Sequence, residues 1–188
     1  MRPVKTSVTH PLPLAVVSAP NAPGRIYFTM CPGKKQPNAD TGPWDRDLDT
    51  DLEAITDAEV TTMVTLMESH EITACDLSSE TLTEACQSRG IAWHHCPIVD
   101  FETPGEDWEK AWTNLGDSLR QALQNGENIL LHCRGGRGRA GMIAARLLVE
   151  LGMSPDTAIS DVRTQRPEAI ETAIQEEHVR TTRARADR

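Results

Sequence analysis

The residues best placed to do chemistry run from Cys133 to Arg139, Cys-Arg-Gly-Gly-Arg-Gly-Arg. Glycines at 135, 136 and 138 allow backbone dihedrals closed to other residues, so successive N–H groups can turn inward on one anion. The helix expected next aims its positive end at the same place. A thiol at the floor of such a cup, here Cys133, meets surroundings that favour thiolate, the nucleophilic form. Arg139 carries a planar fork of donors that can bind two phosphate oxygens at once. Residue types and spacing therefore suit attack by sulfur on a phosphate ester. Arg134, Gly135, Gly136, Arg137, Gly138 and Arg139 would hold the transferring group.

Simpler readings explain less. A cysteine that ends a core strand is often packing, but packing accounts for neither the glycines nor Arg139. A nucleotide-binding Walker loop requires a Gly-Lys-Ser/Thr ending, which is missing. The order His132-Cys133, five residues, then Arg139 resembles the phosphate loop of cysteine-dependent tyrosine and dual-specificity protein phosphatases. A rhodanese-like sulfur carrier has a shorter loop between Cys and Arg.

The resemblance implies a carboxylic acid, some thirty residues before the cysteine, that protonates the leaving oxygen. Asp100 stands 33 positions before Cys133, with Glu102, Glu106 and Asp107 as rivals in the same acidic loop. The stretch His-His-Cys-Pro-Ile-Val-Asp-Phe-Glu-Thr-Pro is similar to that of kinase-associated phosphatases, the cyclin-dependent kinase inhibitor 3-like subfamily, and this favours Asp100. Further similarity lies in Met30–Lys34, Arg46-Asp47-Leu48 and Asp51-Leu52, and in Arg163, Arg166-Pro167, Ala169–Thr172 and Gln175. In related phosphatases a glutamine in this last segment holds the hydrolytic water. Gln175 is either that residue or a solvated helix residue.

Two positions depart from the pattern. Ala140 stands where a Ser or Thr hydroxyl normally stabilises the departing sulfur, so slow hydrolysis of a phosphoenzyme is expected. Arg134 and Arg137 make the rim more basic than in kinase-associated phosphatases. Either they favour polyanionic head groups or multiply phosphorylated peptides, or one of them pairs with a nearby carboxylate.

The elements that must position these residues follow from periodicity and punctuation. Residues 1–24, with prolines at 3, 11, 13, 20 and 23, read as an extended, poorly packed lead-in. Strands are expected at Arg25–Met30, Thr62–Met67, Ile91–Ile98 and up to His132. Helices are expected at Asp49–Ala58, from Ser78 or Ser79 to Arg89, and at Glu106–Gln124. A further one starts at Ser154-Pro155, and a last one opens at Pro167 with Ile170, Ile174 and Val179 on its face. His94 and His95 are adjacent on a strand, point to opposite faces, and read as structural. Residues 181–188 form a basic, solvated tail. Alternating strands and helices imply an α/β fold, a central mostly parallel sheet flanked by helices, with one phosphatase-like domain over 25–180. Active sites of such sheets lie beyond the strand carboxyl ends, where the loops after Ile98 and His132 would meet.

Composition narrows the classes. With 188 residues the chain holds one domain, and a net charge of −9 argues against a nucleic-acid partner. Five cysteines, an odd number without a Cys-x-x-Cys pair, argue against a disulfide framework and a zinc site. No apolar run of about eighteen residues suggests a membrane span, and the apolar stretch near the start is too short and proline-broken for a signal peptide. A cytoplasmic enzyme is expected, needing no metal or other cofactor and acting on phosphorylated protein or peptide. The leading reading is hydrolysis of phosphotyrosine, with phosphoserine or phosphothreonine as further substrates, through a cysteinyl-phosphate intermediate. Phosphoinositide or inositol phosphate hydrolysis is the alternative enzyme. Ala140 motivates a third reading, a phosphate-reading pseudophosphatase with little turnover.

Overall fold

In the computed structural model, which describes residues 2–185, the most aliphatic segments lie side by side in one sheet. In chain order the first elements are β1 (Ala15–Ser18), β2 (Arg25–Met30), β3 (Lys35–Gln36), β4 (Trp44–Asp45), α1 (Leu48–Asp57), β5 (Val60–Thr65), α2 (Ser69–Ala74) and α3 (Ser79–Gln87). Then come β6 (Ala92–His95), α4 (Glu106–Gln124), β7 (Asn128–Cys133), α5 (Gly138–Glu150), α6 (Pro155–Gln165) and α7 (Ala173–Thr181). The main sheet has the order β1-β2-β7-β5-β6, antiparallel at β1–β2 and parallel elsewhere. β3 and β4 form a separate two-stranded ribbon. The expected mostly parallel sheet flanked by helices is the observed one.

β7 is central and covered on both faces, which is why Ile129, Leu130 and Leu131 are all fully buried rather than alternating with polar residues. Caps set the helix starts: the Asp47 side chain accepts from Thr50 N–H for α1, Ser78 from Thr81 N–H for α3, and Ser154 from Thr157 N–H for α6, where Pro155 is the first helical residue. α4 buries Trp108, Trp112, Leu119 and Leu123, and the two tryptophan rings stack 4.7 Å apart. They pack as core, with the Arg146 guanidinium over both rings. Arg146 and Arg120 converge on the buried carboxylate of Glu150, so the charges at this helix contact are paired.

Three expectations need correction, and one element is new. The lead-in is not loosely packed: β1 pairs with β2, and Leu12, Val17, Ala19 and Ala22 are buried. Flanking prolines hide a four-residue edge strand, a position that tolerates them. α2 is unanticipated. The last helix begins at Ala173 instead of Pro167; Thr172 caps it, Ile170 sits before it at φ +60°, and Ile174 is exposed. In the expected tail, Arg185 N–H donates to the Glu150 carbonyl at 3.1 Å, so this part packs back, while 186–188 lie outside the described residues.

The parallel pairing continues past the strand ends. Leu66 N–H donates to His132 O at 2.9 Å and Ile98 N–H to Leu66 O at 3.1 Å. The chain segments after β5, β6 and β7 therefore leave the sheet at one edge.

Candidate active site

At that edge the loop from Cys133 to Arg137 joins β7 to α5. Cys133 is buried at its floor, and the Gly136 N–H donates to its Sγ at 3.2 Å. The three glycines have different reasons. Gly136 sits at φ +67°, and a Cβ there would come within 2.3 Å of Met30 N and Thr29 C on β2. Gly138 does not have a left-handed backbone; a Cβ would meet the Glu171 carboxylate at 2.6 Å. Gly135 requires neither, since nothing lies within 4 Å of a Cβ built on it. The expectation that all three supply special dihedrals is therefore right for Gly136 alone.

Arg139, 1% exposed, lies in the first turn of α5. Its Nη1 and Nη2 donate to Glu71 Oε2 and Oε1 at 2.6 and 2.9 Å, and Nη1 also to Ile98 O at 3.0 Å. Its Nε is buried without a partner. A buried guanidinium N–H left unpaired beside a thiol cup is a donor for an anion. Burial would lower the Arg139 pKa, but the bonds to Glu71 and the nearby Cys133 and Asp100 raise it, so the charge is permanent.

Asp100 joins this group from the loop after β6. Its Oδ1 is 3.0 Å from Arg139 Nη2, and its Oδ2 accepts from Arg134 Nη2 at 2.8 Å. The rivals are elsewhere: Glu102, Glu106 and Asp107 are exposed, and Asp107 pairs with Lys110. Asp100 and Phe101 sit at the tip of a tight turn closed by Glu102 N–H to Val99 O at 3.1 Å. Phe101 has φ +63° and is 54% exposed. The third residue of such a turn normally calls for glycine, and a side chain there costs about 1–2 kcal/mol.

Gln175 is fully buried, which overturns its reading as a solvated helix residue. Its Oε1 accepts from Glu171 N–H at 3.0 Å and Thr172 N–H at 3.4 Å, and its Nε2 donates to Glu102 O at 3.4 Å. It thus caps α7 and ties that helix to the Asp100 loop. Glu171 Oε2 accepts from Gly138 N–H at 2.9 Å, a carboxylate on one of the first amides of α5. Both rim arginines are paired, Arg134 with Asp100 and Arg137 with Glu168 (3.0 Å). Ala140 is fully buried, and its methyl side chain offers no donor.

Three further residues at the site carry no role in the sequence reading, although Lys34 and Arg166 lie in segments that share the family resemblance. Glu71, 3% exposed, is brought to Arg139 by α2, and its Oε2 also accepts Glu68 N–H at 2.9 Å. Burial works against its charge, but the bonds from Arg139 and Glu68 outweigh it and hold its pKa below the usual carboxylate value. Lys34, 4% exposed, donates from Nζ to Arg134 O at 3.1 Å and braces the loop from behind. Burial lowers its pKa against the opposing influence of the Cys31, Cys75 and Cys133 sulfurs. Arg166 donates from Nη2 to Gly135 O at 2.9 Å, and its Nε is buried without a partner. His132 precedes the thiol: its Nε2 is 2.7 Å from Thr65 Oγ1, which accepts from Trp93 Nε1 at 2.8 Å. Burial pushes the His132 pKa down to about 3, so the ring is neutral. His95 is structural, with Nε2 2.7 Å from Met67 O and its ring stacked on Trp93.

Comparison with known proteins places this geometry. A family model described as polymorphic toxin system, DSP-PTPase phosphatase matches residues 41–153. Cyclin-dependent kinase inhibitor 3 of Rattus norvegicus is 39% identical over 99 residues, 50% of this chain and 44% of the relative. Protein tyrosine phosphatase PRL-1 of Trypanosoma cruzi is 32% identical over 124 residues, 63% of this chain and 69% of the relative. The chain therefore spans less than half of the rat protein's length. In three dimensions it is similar to kinase associated phosphatase with serine in place of the catalytic site cysteine, with TM-score 0.77 and 26% identity, covering 90% of this chain and 92% of that one. Tk-PTP in its active form superposes with TM-score 0.62 at 26% identity, covering 85% and 94%. On the match across 41–153, the chain belongs to the dual-specificity and protein tyrosine phosphatase family.

Proposed function

We propose that this chain is a phosphomonoesterase that dephosphorylates phosphotyrosine in proteins, with phosphoserine and phosphothreonine as further substrates, through a cysteinyl-phosphate. The observation that carries the reading is a loop with a buried thiol at one end, Cys133 held by the Gly136 N–H, and at the other end a buried Arg139 whose Nε has no partner. In the first step the Cys133 sulfur attacks phosphorus, the ester P–O bond breaks, and Asp100 gives its proton to the leaving oxygen. Arg139 and the loop amides from Arg134 to Arg139 hold the three equatorial oxygens, a charge stabilisation that needs no metal. The substrate phosphate displaces Asp100 from Arg139 Nη2, which frees the carboxyl to carry the proton. In the second step water attacks phosphorus, Asp100 takes its proton, and the P–S bond breaks to release phosphate and the thiolate. Gln175, placed beside Gly138 and the Asp100 loop, positions that water.

The ion pairs of Arg134 and Arg137 bear on substrate choice. Each cation is already offset by a carboxylate, which favours a single phosphate on a peptide over a polyanionic inositol head group. Five unpaired, buried cysteines suit a reducing compartment, and we place the protein in the cytoplasm. No helix among the described residues is long and apolar enough to cross a membrane. The test is hydrolysis of para-nitrophenyl phosphate at mildly acidic pH with and without vanadate, beside Cys133→Ser, followed by phosphopeptides against inositol phosphates. Vanadate-sensitive activity that is lost in Cys133→Ser and is higher on phosphopeptides is expected. Preference for inositol phosphates overturns the substrate, and binding without turnover overturns the enzyme.

A further inference from the structure

Five cationic side chains are buried among the described residues: Lys34, Arg46, Arg120, Arg139 and Arg146. Each arginine lies on a carboxylate: Arg46 on Asp51, Arg120 and Arg146 on Glu150, and Arg139 on Glu71. Among the described residues no carboxylate pairs with Lys34, in the loop after β2. Its Nζ has only the Arg134 carbonyl, at 3.1 Å, and the Trp44 ring, whose centroid is 5.0 Å away. Neither carries a full charge. A buried cation with no anion is costly, so something must offset this one.

Three sulfurs lie close enough to favour its charged form: Cys31, Cys75 and Cys133. Backbone bonds gather them, since Cys31 N–H also donates to Arg134 O, at 3.4 Å, and Lys35 N–H donates to Cys75 O at 3.0 Å. Contact with Cys75 and burial push the Cys31 thiol up, so Cys31 is not the anion. The bond from Cys31 pushes Cys75 down, but the Glu71 carboxylate opposes a charge there. A thiolate at Cys133 faces cations from three elements: Lys34 after β2, Arg139 in α5 and Arg166 before α7. The other charges around the cup are taken: Arg134 is on Asp100, Arg137 on Glu168, Glu71 on Arg139 and Glu171 on the Gly138 amide, and His132 is neutral.

The contact with Arg134 also aims an amide. Carbonyl and N–H of a planar trans peptide point in opposite directions. Arg166 Nη2 holds Gly135 O at 2.9 Å, and the N–H of that peptide, on Gly136, points the other way and donates to Cys133 Sγ. Lys34 holds the preceding carbonyl, so the Gly135 N–H points away from Lys34 in the same manner.

We infer that Lys34 is a positioning residue for the nucleophile: its buried ammonium is a counter-charge that keeps Cys133 ionised, and its grip on the Arg134 carbonyl turns the Gly135 amide into the cup. The inference rests on the phosphatase reading above and deepens it. It bears on the second step too, in which sulfur leaves as thiolate and the Ala140 side chain offers no donor.

The first measurement is the pH dependence of iodoacetamide alkylation, read by mass spectrometry on the peptide that carries Cys133, in the unaltered chain, Lys34→Met and Lys34→Arg. Lys34→Met removes the charge and keeps an apolar stem. Its Cys133 midpoint is expected about 1 pH unit higher, the size of shift one opposite charge at close range produces, and Lys34→Arg restores most of it. The acid limb of kcat/KM on an aryl phosphate moves the same way, whereas a merely structural role lowers activity at every pH and leaves the midpoint in place. The second measurement leaves Lys34 itself unaltered. The chain has four lysines, Lys5, Lys34, Lys35 and Lys110, so the Lys34 ammonium can be followed by NMR in protein with labelled lysine. It is expected to titrate at lower pH in Cys133→Ser, where the anion is gone, than in the unaltered protein. An unmoved Cys133 midpoint in folded Lys34→Met, or an unmoved Lys34 titration in Cys133→Ser, overturns the role. If the chain hydrolyses no phosphate ester, the phosphatase reading fails, and the alkylation and NMR results still decide on Lys34.

Discussion

Glu71 grips Arg139 by both terminal nitrogens, at 2.6 and 2.9 Å, and leaves only Nε of that buried guanidinium without a partner. The two residues are 68 positions apart in sequence. The carboxylate thus fixes the plane of the fork that the transferring phosphate must meet.

Replacing Glu71 should uncouple this geometry. Glu71→Gln keeps the shape and loses the charge; Glu71→Ala leaves a buried cation and costs about 3–5 kcal/mol of stability. We expect kcat/KM on an aryl phosphate to fall about 10²-fold in Glu71→Gln, more through kcat than KM, with urea denaturation confirming a folded protein. Unchanged kcat in folded Glu71→Gln removes Glu71 from the positioning of Arg139.

The loop glycines should respond unequally. Gly136→Ala forces a Cβ onto the β2 backbone in a left-handed conformation and should cost several kcal/mol, on the order of 3–5. Gly135→Ala meets open space and should leave the melting temperature within about 2 °C. Thermal denaturation of both variants decides; equal effects mean the loop has another conformation.

Ala140 should make the second step slow. An aryl phosphate is expected to give a burst of product and then a slower steady state, and Ala140→Ser should raise kcat, by up to about 10²-fold if the missing donor is worth a typical one. Rapid-mixing kinetics measure both. Absence of a burst together with an unchanged kcat in Ala140→Ser contradicts the assignment.

Acid should destabilise the fold through His132. Its folded pKa, about 3, lies below the value near 6.5 of an unfolded histidine, so below pH 6.5 the unfolded chain binds more protons. This contribution is complete above pH 6.5 and is lost as pH falls toward 3, amounting to about 2 kcal/mol by pH 5. Glu71, whose pKa is also held down, adds a loss of the same sign at lower pH. Urea titrations at pH 7.5 and 5 should show the difference, and His132→Gln should shrink it. Equal stability of the unaltered protein at both pH values would contradict a neutral, buried His132.

What the sequence reveals depends on whether the deciding contact is local. α4 matches its expected span, Glu106–Gln124, because its apolar stripe repeats over five turns. α2 escapes because its six residues carry no stripe; Glu71 holds it by reaching back to Glu68 and across to Arg139. β1 escapes because its pairing with β2 is a tertiary event and its flanks are rich in proline. In the site, Cys133 and Arg139 are legible because one loop contains both, and Asp100 because a resemblance supplies its place. Lys34 and Arg166 reach the loop from 100 and 31 residues away, through backbone carbonyls that any sequence would present.

The central claim, covalent catalysis by Cys133, is tested most directly by acid quenching a reaction with a phosphotyrosine peptide and locating phosphate by mass spectrometry. The account predicts one phosphate on Cys133 during turnover, absent in Cys133→Ser. Turnover that leaves Cys133 unmodified, or that survives Cys133→Ser, would contradict it.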